Sequence, residues 1–312
     1  MGITVVPSLG SSTAPGVHSI QANGVRLEYL DWGGHGPPLL FLAGLGDTPY
    51  IYNDLAPEFR ARFHCLGLTR RGFGGSEQPE SGYELDNLVQ DAASFINALR
   101  LRNVTVVGHS FGGTEAIRLS ELHPDIIRRV VLLDTGYAPF PESGEKAYAK
   151  LIPSLVGFPM SEIGKSLSNI REFAKVGPGY RNVWSDAAEA NLRQNNVVKD
   201  DGSILRRTPP RVTAAIQRDR AAWNITRIPV PALLIFAHPL FADSLAQAKM
   251  DGDSAVEIRN ASDEVEDARR RQIEALRRDS LKARIVEYEH TGHYCFIQRR
   301  EEVLTEMRHF LN

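Results

Sequence analysis

The chemistry of this chain starts at Ser110. It stands in Gly108-His109-Ser110-Phe111-Gly112-Gly113, directly after the apolar run Val104-Thr105-Val106-Val107 and before a stretch of helical spacing. That is the strand–turn–helix setting of a G-x-S-x-G nucleophile elbow. Such a turn brings the backbone close to itself, so a Cβ at either glycine would crowd it. The serine hydroxyl is thereby lifted to the carboxyl end of a sheet. A hydroxyl is a weak nucleophile and needs a base within hydrogen-bond reach. Of the nine histidines, His293 in Thr291-Gly292-His293-Tyr294 follows the last expected strand and reaches the same edge as Ser110. His290, just upstream and nearer the strand end, is its rival. His109 and His123 flank the elbow helix. Both suit structural roles, and His109 is also placed beside the substrate.

Other chemistries fit less well. His290-x-x-His293-x-Cys295 has the residue types of a metal cluster, but no second cluster accompanies it and no metal is assigned. Gly72-Phe73-Gly74-Gly75 is neither GxGxxG nor a P-loop, so no nucleotide site is assigned. Lys and Arg number 36 against 38 Asp and Glu, a net charge of −2. That balance argues against the basic stripe of a nucleic-acid binder and against a polybasic membrane anchor. No apolar run nears the ~18 residues of a membrane span. Cys65 and Cys295 cannot build a disulfide framework and are expected to be free. The N-terminus lacks a signal-peptide pattern. The expected location is cytoplasmic, with a secreted or periplasmic form lacking its leader as the alternative.

Elements must hold these groups in place. Short apolar runs alternate with longer amphipathic stretches, the rhythm of an α/β fold with a mostly parallel sheet. Asn23-Gly24 between apolar runs signals an opening hairpin. Strands are expected at residues 38–43, 63–68, 104–108, 129–133, 231–237 and 283–289. Helices are expected at 86–100, 112–123 and 298–311, with a charged helical stretch within 242–280. Residues 137–227 break the rhythm: they are rich in proline and show no convincing strand. They are read as a helical cap, residues 137–227, inserted into a core of residues 1–136 and 228–312 whose first 17 residues form a flexible arm.

The loop Arg70-Arg71-Gly72-Phe73-Gly74-Gly75-Ser76 resembles the D-x-R-G-x-G-x-S loop of the α/β-hydrolase superfamily, with Thr69 in place of the acid. With the elbow, it extends the resemblance over nearly the whole chain. The resemblance implies a mostly parallel eight-stranded sheet flanked by helices, a helical cap after the sixth strand, and no metal or organic cofactor. It also implies a triad in the order Ser, acid, His. In most members the acid follows the strand after the cap, where this chain has Leu240. Asp134, at the end of the 130–133 run, is the first replacement, because some related hydrolases and dehalogenases use that strand end. Asp243 is the second.

The resemblance further implies an oxyanion hole from the amides of Phe111 and Leu45, with Ala43-Gly44 where many members have His-Gly. Substrate is expected near Gly44, His109, Tyr137, Phe140 and Trp184, with Leu151, Phe158 and Phe173 also in the cap. The implied activity is hydrolysis of small to medium carboxylic esters, which the near-neutral charge suggests are largely uncharged. The same triad serves lactone, amide, peptide and C–C bond hydrolysis and perhydrolysis. A ligand-binding degenerate hydrolase is the rival of another class. Dehalogenase and epoxide hydrolase members carry Asp at the elbow, unlike Ser110. The expected partner is a small-molecule ester, not nucleic acid, and the expected state is a monomer or homodimer.

Overall fold

Asn23 and Gly24 both have positive φ (49° and 73°), the backbone of a tight hairpin turn. They fold β1 (Gly16–Ala22) antiparallel onto β2 (Val25–Gly33). In this computed structural model the described residues are 14–135, 146, 151, 155, 160–176, 179–180, 183–219, 227–238, 249, 251–280 and 282–312. Residues 16 and 17, expected in the flexible arm, pair with β2 instead.

The chain continues through β3 (Pro38–Leu42), β4 (His64–Leu68), α1 (Leu85–Ala98), β5 (Val104–His109), α2 (Phe111–Leu122) and β6 (Ile127–Leu133). Between β6 and the next sheet strand lie α3 (Leu167–Val176), α4 (Asp186–Asn195), β7 (Asn196–Val198), β8 (Ile204–Arg206) and α5 (Pro210–Arg218). The antiparallel β7–β8 hairpin corrects the reading of this segment as strandless. β9 (Ala232–His238), α6 (Gly252–Asp279), β10 (Ala283–Glu289), α7 (Cys295–Gln298) and α8 (Arg300–Leu311) complete the chain. The closing helix expected at 298–311 is thus split at Arg299.

The main sheet has eight strands in the order β1-β2-β4-β3-β5-β6-β9-β10. β2 is antiparallel to both neighbours and the remaining pairs are parallel. Successive strand residues face opposite sides, and helices cover both. Leu40, Val106, Val130 and Leu234 pack with α1 and α2. Leu39, Phe41, Val107, Val131 and Leu233 pack with Phe296, Val303 and Met307 of α7 and α8. Burial on both faces explains why these strands read as unbroken apolar runs. Chain order reverses between β3 and β5, and ligands of open α/β sheets bind outside the carboxyl ends of strands at such a switch point. Among the described residues no helix is long and apolar enough to cross a membrane.

Candidate active site

Ser110 leaves β5 at φ 53° and ψ −125°. A non-glycine residue held there costs roughly 1–3 kcal/mol and persists only where its surroundings over-determine it. Here the Ser110 amide donates to Leu133 O at 3.1 Å and its carbonyl accepts from Gly113 N at 2.9 Å. The Thr135 hydroxyl donates to the same carbonyl. A Cβ added at Gly108 would stand 2.4 Å from Gly112 O, and one at Gly112 would stand 2.2 Å from Leu42 O. The two glycines therefore let α2 start against both β5 and the exit of β3.

Asp134 follows β6 with φ 46°. Its amide donates to Ile235 O at 2.7 Å, so the backbone still bonds to β9. Its carboxylate is buried, accepting from Ala237 N at 2.8 Å through Oδ1. Oδ2 lies 2.5 Å from His293 Nδ1. The carboxylate comes from the strand beside β9, so its reach to the β9 backbone brings it to the edge where the resemblance expected an acid. Leu240 and Asp243 lie outside the described residues, as do Tyr137, Phe140 and Phe158. His290 is exposed at the turn before the His293 loop. That loop is tied down by Thr291 N donating to His238 O at 3.3 Å and Gly292 N donating to Gln298 Oε1 at 2.7 Å.

His109, expected beside the substrate, is fully buried. Its ring centroid is 4.4 Å from that of His293, and its Nε2 lies 3.0 Å from the His293 carbonyl. The ring beside Asp134 therefore stands next to the residue that precedes Ser110.

The β3 loop is held from below and above. Arg70, buried against Glu115 (Nε to Oε1 2.8 Å), donates to Ala43 O at 2.7 Å and Gly44 O at 3.3 Å. In a trans peptide the N–H points opposite to the C=O, so the Leu45 N–H faces away from Arg70. A Cβ built on Gly44 would be 3.2 Å from Ser110 Cβ, which puts this peptide beside the serine. Phe111, which opens α2, has its ring 4.9 Å from the Arg70 guanidinium carbon. From above, Asn191 of α4 accepts from Thr48 N (2.8 Å) and Thr48 Oγ1 (2.9 Å), and donates to Asp47 Oδ1 (2.7 Å). The Tyr294 hydroxyl donates to Asp47 Oδ2 at 3.0 Å. Burial pushes the Asp47 carboxyl up from its ordinary range, against the opposing pull of these two hydrogen bonds. The sequence singled out none of Asp47, Asn191 and Tyr294, because each lies far in the chain from the partners that give it meaning.

A cavity of about 480 Å³ opens beside this network. Leu45 and Asp47 of the β3 loop, Tyr294, and α3, α4 and β7–β8 residues line it. Trp184 and Phe173, two of the expected cap contacts, are on its wall, while Gly44 and His109 are not. Tyr180 stacks on Tyr294 with centroids 3.9 Å apart and forms an aromatic side with Trp184. Leu151 is buried.

The sequence pattern of a family described as alpha/beta hydrolase fold matches residues 37–161. One similar protein is 2-(acetamidomethylene)succinate hydrolase of Mesorhizobium japonicum, 32% identical over 110 residues, or 35% of this chain and 39% of that protein. Another is N-formylmaleamate deformylase of Pseudomonas putida, 29% identical over 170 residues, or 54% of this chain and 60% of that protein. In both cases the match spans less than two thirds of the relative's length. The solved structure of E-2-(acetamidomethylene)succinate hydrolase superposes with a TM-score of 0.66 at 19% identity, covering 95% of this chain and 99% of that one. At that identity the likeness is one of fold.

Proposed function

We propose that this chain, which belongs to the α/β-hydrolase superfamily, is a serine hydrolase that cleaves carboxylic esters through an acyl-enzyme on Ser110. The observation that carries the reading is the 2.5 Å contact between His293 Nδ1 and the buried Asp134 carboxylate. A carboxylate there fixes the imidazole with its proton on Nδ1, leaving the Nε2 lone pair as the base. Ser110 Oγ attacks the ester carbonyl carbon and its proton passes to His293 Nε2. Asp134 stabilises the imidazolium and stays ionised. The amides of Phe111 and Leu45 receive the developing oxyanion, the role of preorganised donors in acyl transfer. His293 then protonates the leaving alcohol. It next takes a proton from water, which attacks the acyl-enzyme; the acyl bond to Ser110 Oγ then breaks, His293 returns the proton to Oγ, and the acid is freed. Residues 137–227 act as the cap over this edge.

A second reading, amide hydrolysis on the same residues, is favoured by the names of the two relatives, one a hydrolase of an acetamido compound and the other a deformylase. It differs in one step: His293 protonates a leaving nitrogen. A panel of 4-nitrophenyl esters and 4-nitroanilides tests both, together with fluorophosphonate labelling of the wild type and of Ser110→Ala. Ester turnover and labelling lost in Ser110→Ala are expected. Neither turnover nor labelling in the wild type would overturn the serine-hydrolase reading in favour of a binding protein.

A further inference from the structure

Three observations meet at one corner of the cavity. Asn196 and Arg206 face each other in the register of the β7–β8 hairpin. Directly opposed residues of an antiparallel pair project to the same side, and both of these line the cavity. Asn196 is buried, its Nδ2 donates to Leu192 O at 2.7 Å, and its Oδ1 has no hydrogen-bond partner among the described residues. The Nδ2 bond fixes which end of the amide is left open. A buried acceptor without a partner costs ~1–3 kcal/mol, and such a group calls for an explanation. Arg206 is the one cation among the described lining residues, and among the described residues its side chain has no ion-pair or hydrogen-bond partner. The cavity wall as a whole is mainly apolar, with Ile163, Ile170, Phe173, Leu192 and Ile204.

We propose that this corner binds the carboxylate of an anionic substrate through Arg206, with a neighbouring N–H or O–H of the same molecule donating to Asn196 Oδ1. Arginine presents a planar fork of donors that matches a carboxylate. The proposal rests on the hydrolase reading and names its substrate class: an acyl compound with a second, free carboxylate. It departs from the expectation of an uncharged substrate, which rested on the net charge of the whole chain. Asp47, the carboxyl on the cavity wall among the described residues, does not oppose it. Both of its oxygens are taken by Asn191 and Tyr294, and burial favours its neutral form.

Two measurements test this. The first is kcat/KM for the mono-4-nitrophenyl esters of succinic, glutaric and adipic acids, each relative to a neutral ester of matched size. The wild type is expected to prefer one acid ester by about tenfold or more, a charge-assisted bond's worth. Arg206→Ala is expected to erase that ratio and Arg206→Lys to keep part of it. The second is calorimetric binding of N-acetylglycine and of its neutral methyl ester to Ser110→Ala. The acid is expected to bind more tightly, and adding Arg206→Ala is expected to remove the difference. Cleavage without any acid preference, or a preference that survives Arg206→Ala, overturns the proposal and leaves the hydrolase reading standing. Absence of turnover with Arg206-dependent binding of the acid does the reverse. Arg206 is exposed on a short strand, and thermal melts of each variant separate misfolding from loss of the subsite.

Discussion

The ring of His109 stands 4.4 Å from that of His293, and its Nε2 meets the His293 carbonyl at 3.0 Å. Burial drives the His109 pKa well below the ordinary imidazole range, aided by the charge of His293. It is therefore neutral, and the acceptor assigns its single proton to Nε2. The contact ties the main chain of the proposed base to the strand that carries the nucleophile. His109→Phe keeps a ring of similar bulk but leaves the carbonyl without its donor. We expect about a tenfold fall in kcat with KM for a neutral ester little changed, and a loss of ~1–3 kcal/mol in stability. Steady-state kinetics with denaturant melts check this. Lost stability at unchanged kcat would make the contact purely structural.

Asp134→Asn keeps an acceptor for Ala237 N–H, so the fold is expected to survive. Its amide, however, presents N–H to His293 Nδ1. That moves the ring proton to Nε2, the atom needed as base. The expected result is a fall in kcat of ~10⁴-fold, the scale of a triad acid replaced by its amide. Near-normal turnover in this variant, combined with loss in Asp243→Asn, would give the role to Asp243.

What the sequence made legible followed from locality. Ser110 was readable because strand, glycines and helix start are contiguous, and His293 because it directly follows a strand. Asp134 needed the family resemblance, since nothing local separates it from any other carboxylate at a strand end. The Asn191 clamp was invisible: it joins residues 143 positions apart, and Tyr294 lies 247 positions from Asp47. Mid-helix asparagine carries no pattern that predicts such partners. The β7–β8 hairpin escaped notice because strands of three residues fall below the length at which alternation can be read.

Asn191 offers its own test. It holds the β3 loop from the α4 side through Thr48 and Asp47, while Arg70 holds the same loop from the core. Asn191→Ala removes the upper clamp and leaves Thr48 N buried without its acceptor. If Leu45 supplies an oxyanion donor, the effect falls on the transition state. We expect kcat to drop about 10- to 100-fold, short of the 10²–10³ for deleting an oxyanion donor outright, with a smaller change in KM. Asn191→Asp keeps the acceptor for Thr48, and its kcat relative to wild type at the same pH is expected to rise as pH falls, where two facing carboxyls are less charged. A change confined to KM would instead place Asn191 in substrate binding.

His238, at the end of β9, links pH to stability. It is 1% exposed, with Nδ1 2.7 Å from Glu266 of α6 and Nε2 3.0 Å from Glu287 of β10. Arg270 flanks Glu266 and Glu289, and Arg277 pairs with Glu287. Arg269 donates to the Ala237 carbonyl. Burial alone would lower the His238 pKa; the hydrogen bond it donates to Glu266 and the charges of Glu266, Glu289 and Glu287 outweigh it and raise the pKa above 6.5. A raised folded-state pKa means that this stabilisation is complete below the unfolded value near 6.5 and is lost as pH rises through the folded value. Burial would raise Glu266, but its bond to His238 and the neighbouring cations lower it below 4.5, so its share is lost as pH falls below that value. The cluster therefore stabilises most between these limits. We expect His238→Gln to lower stability by ~1.5–3 kcal/mol at pH 6, the scale of hydrogen bonds to charged groups, and by progressively less toward pH 9. Thermal melts of both proteins across pH 5–9 measure the difference. A gap that does not narrow with rising pH would show that His238 is not charged in the folded chain.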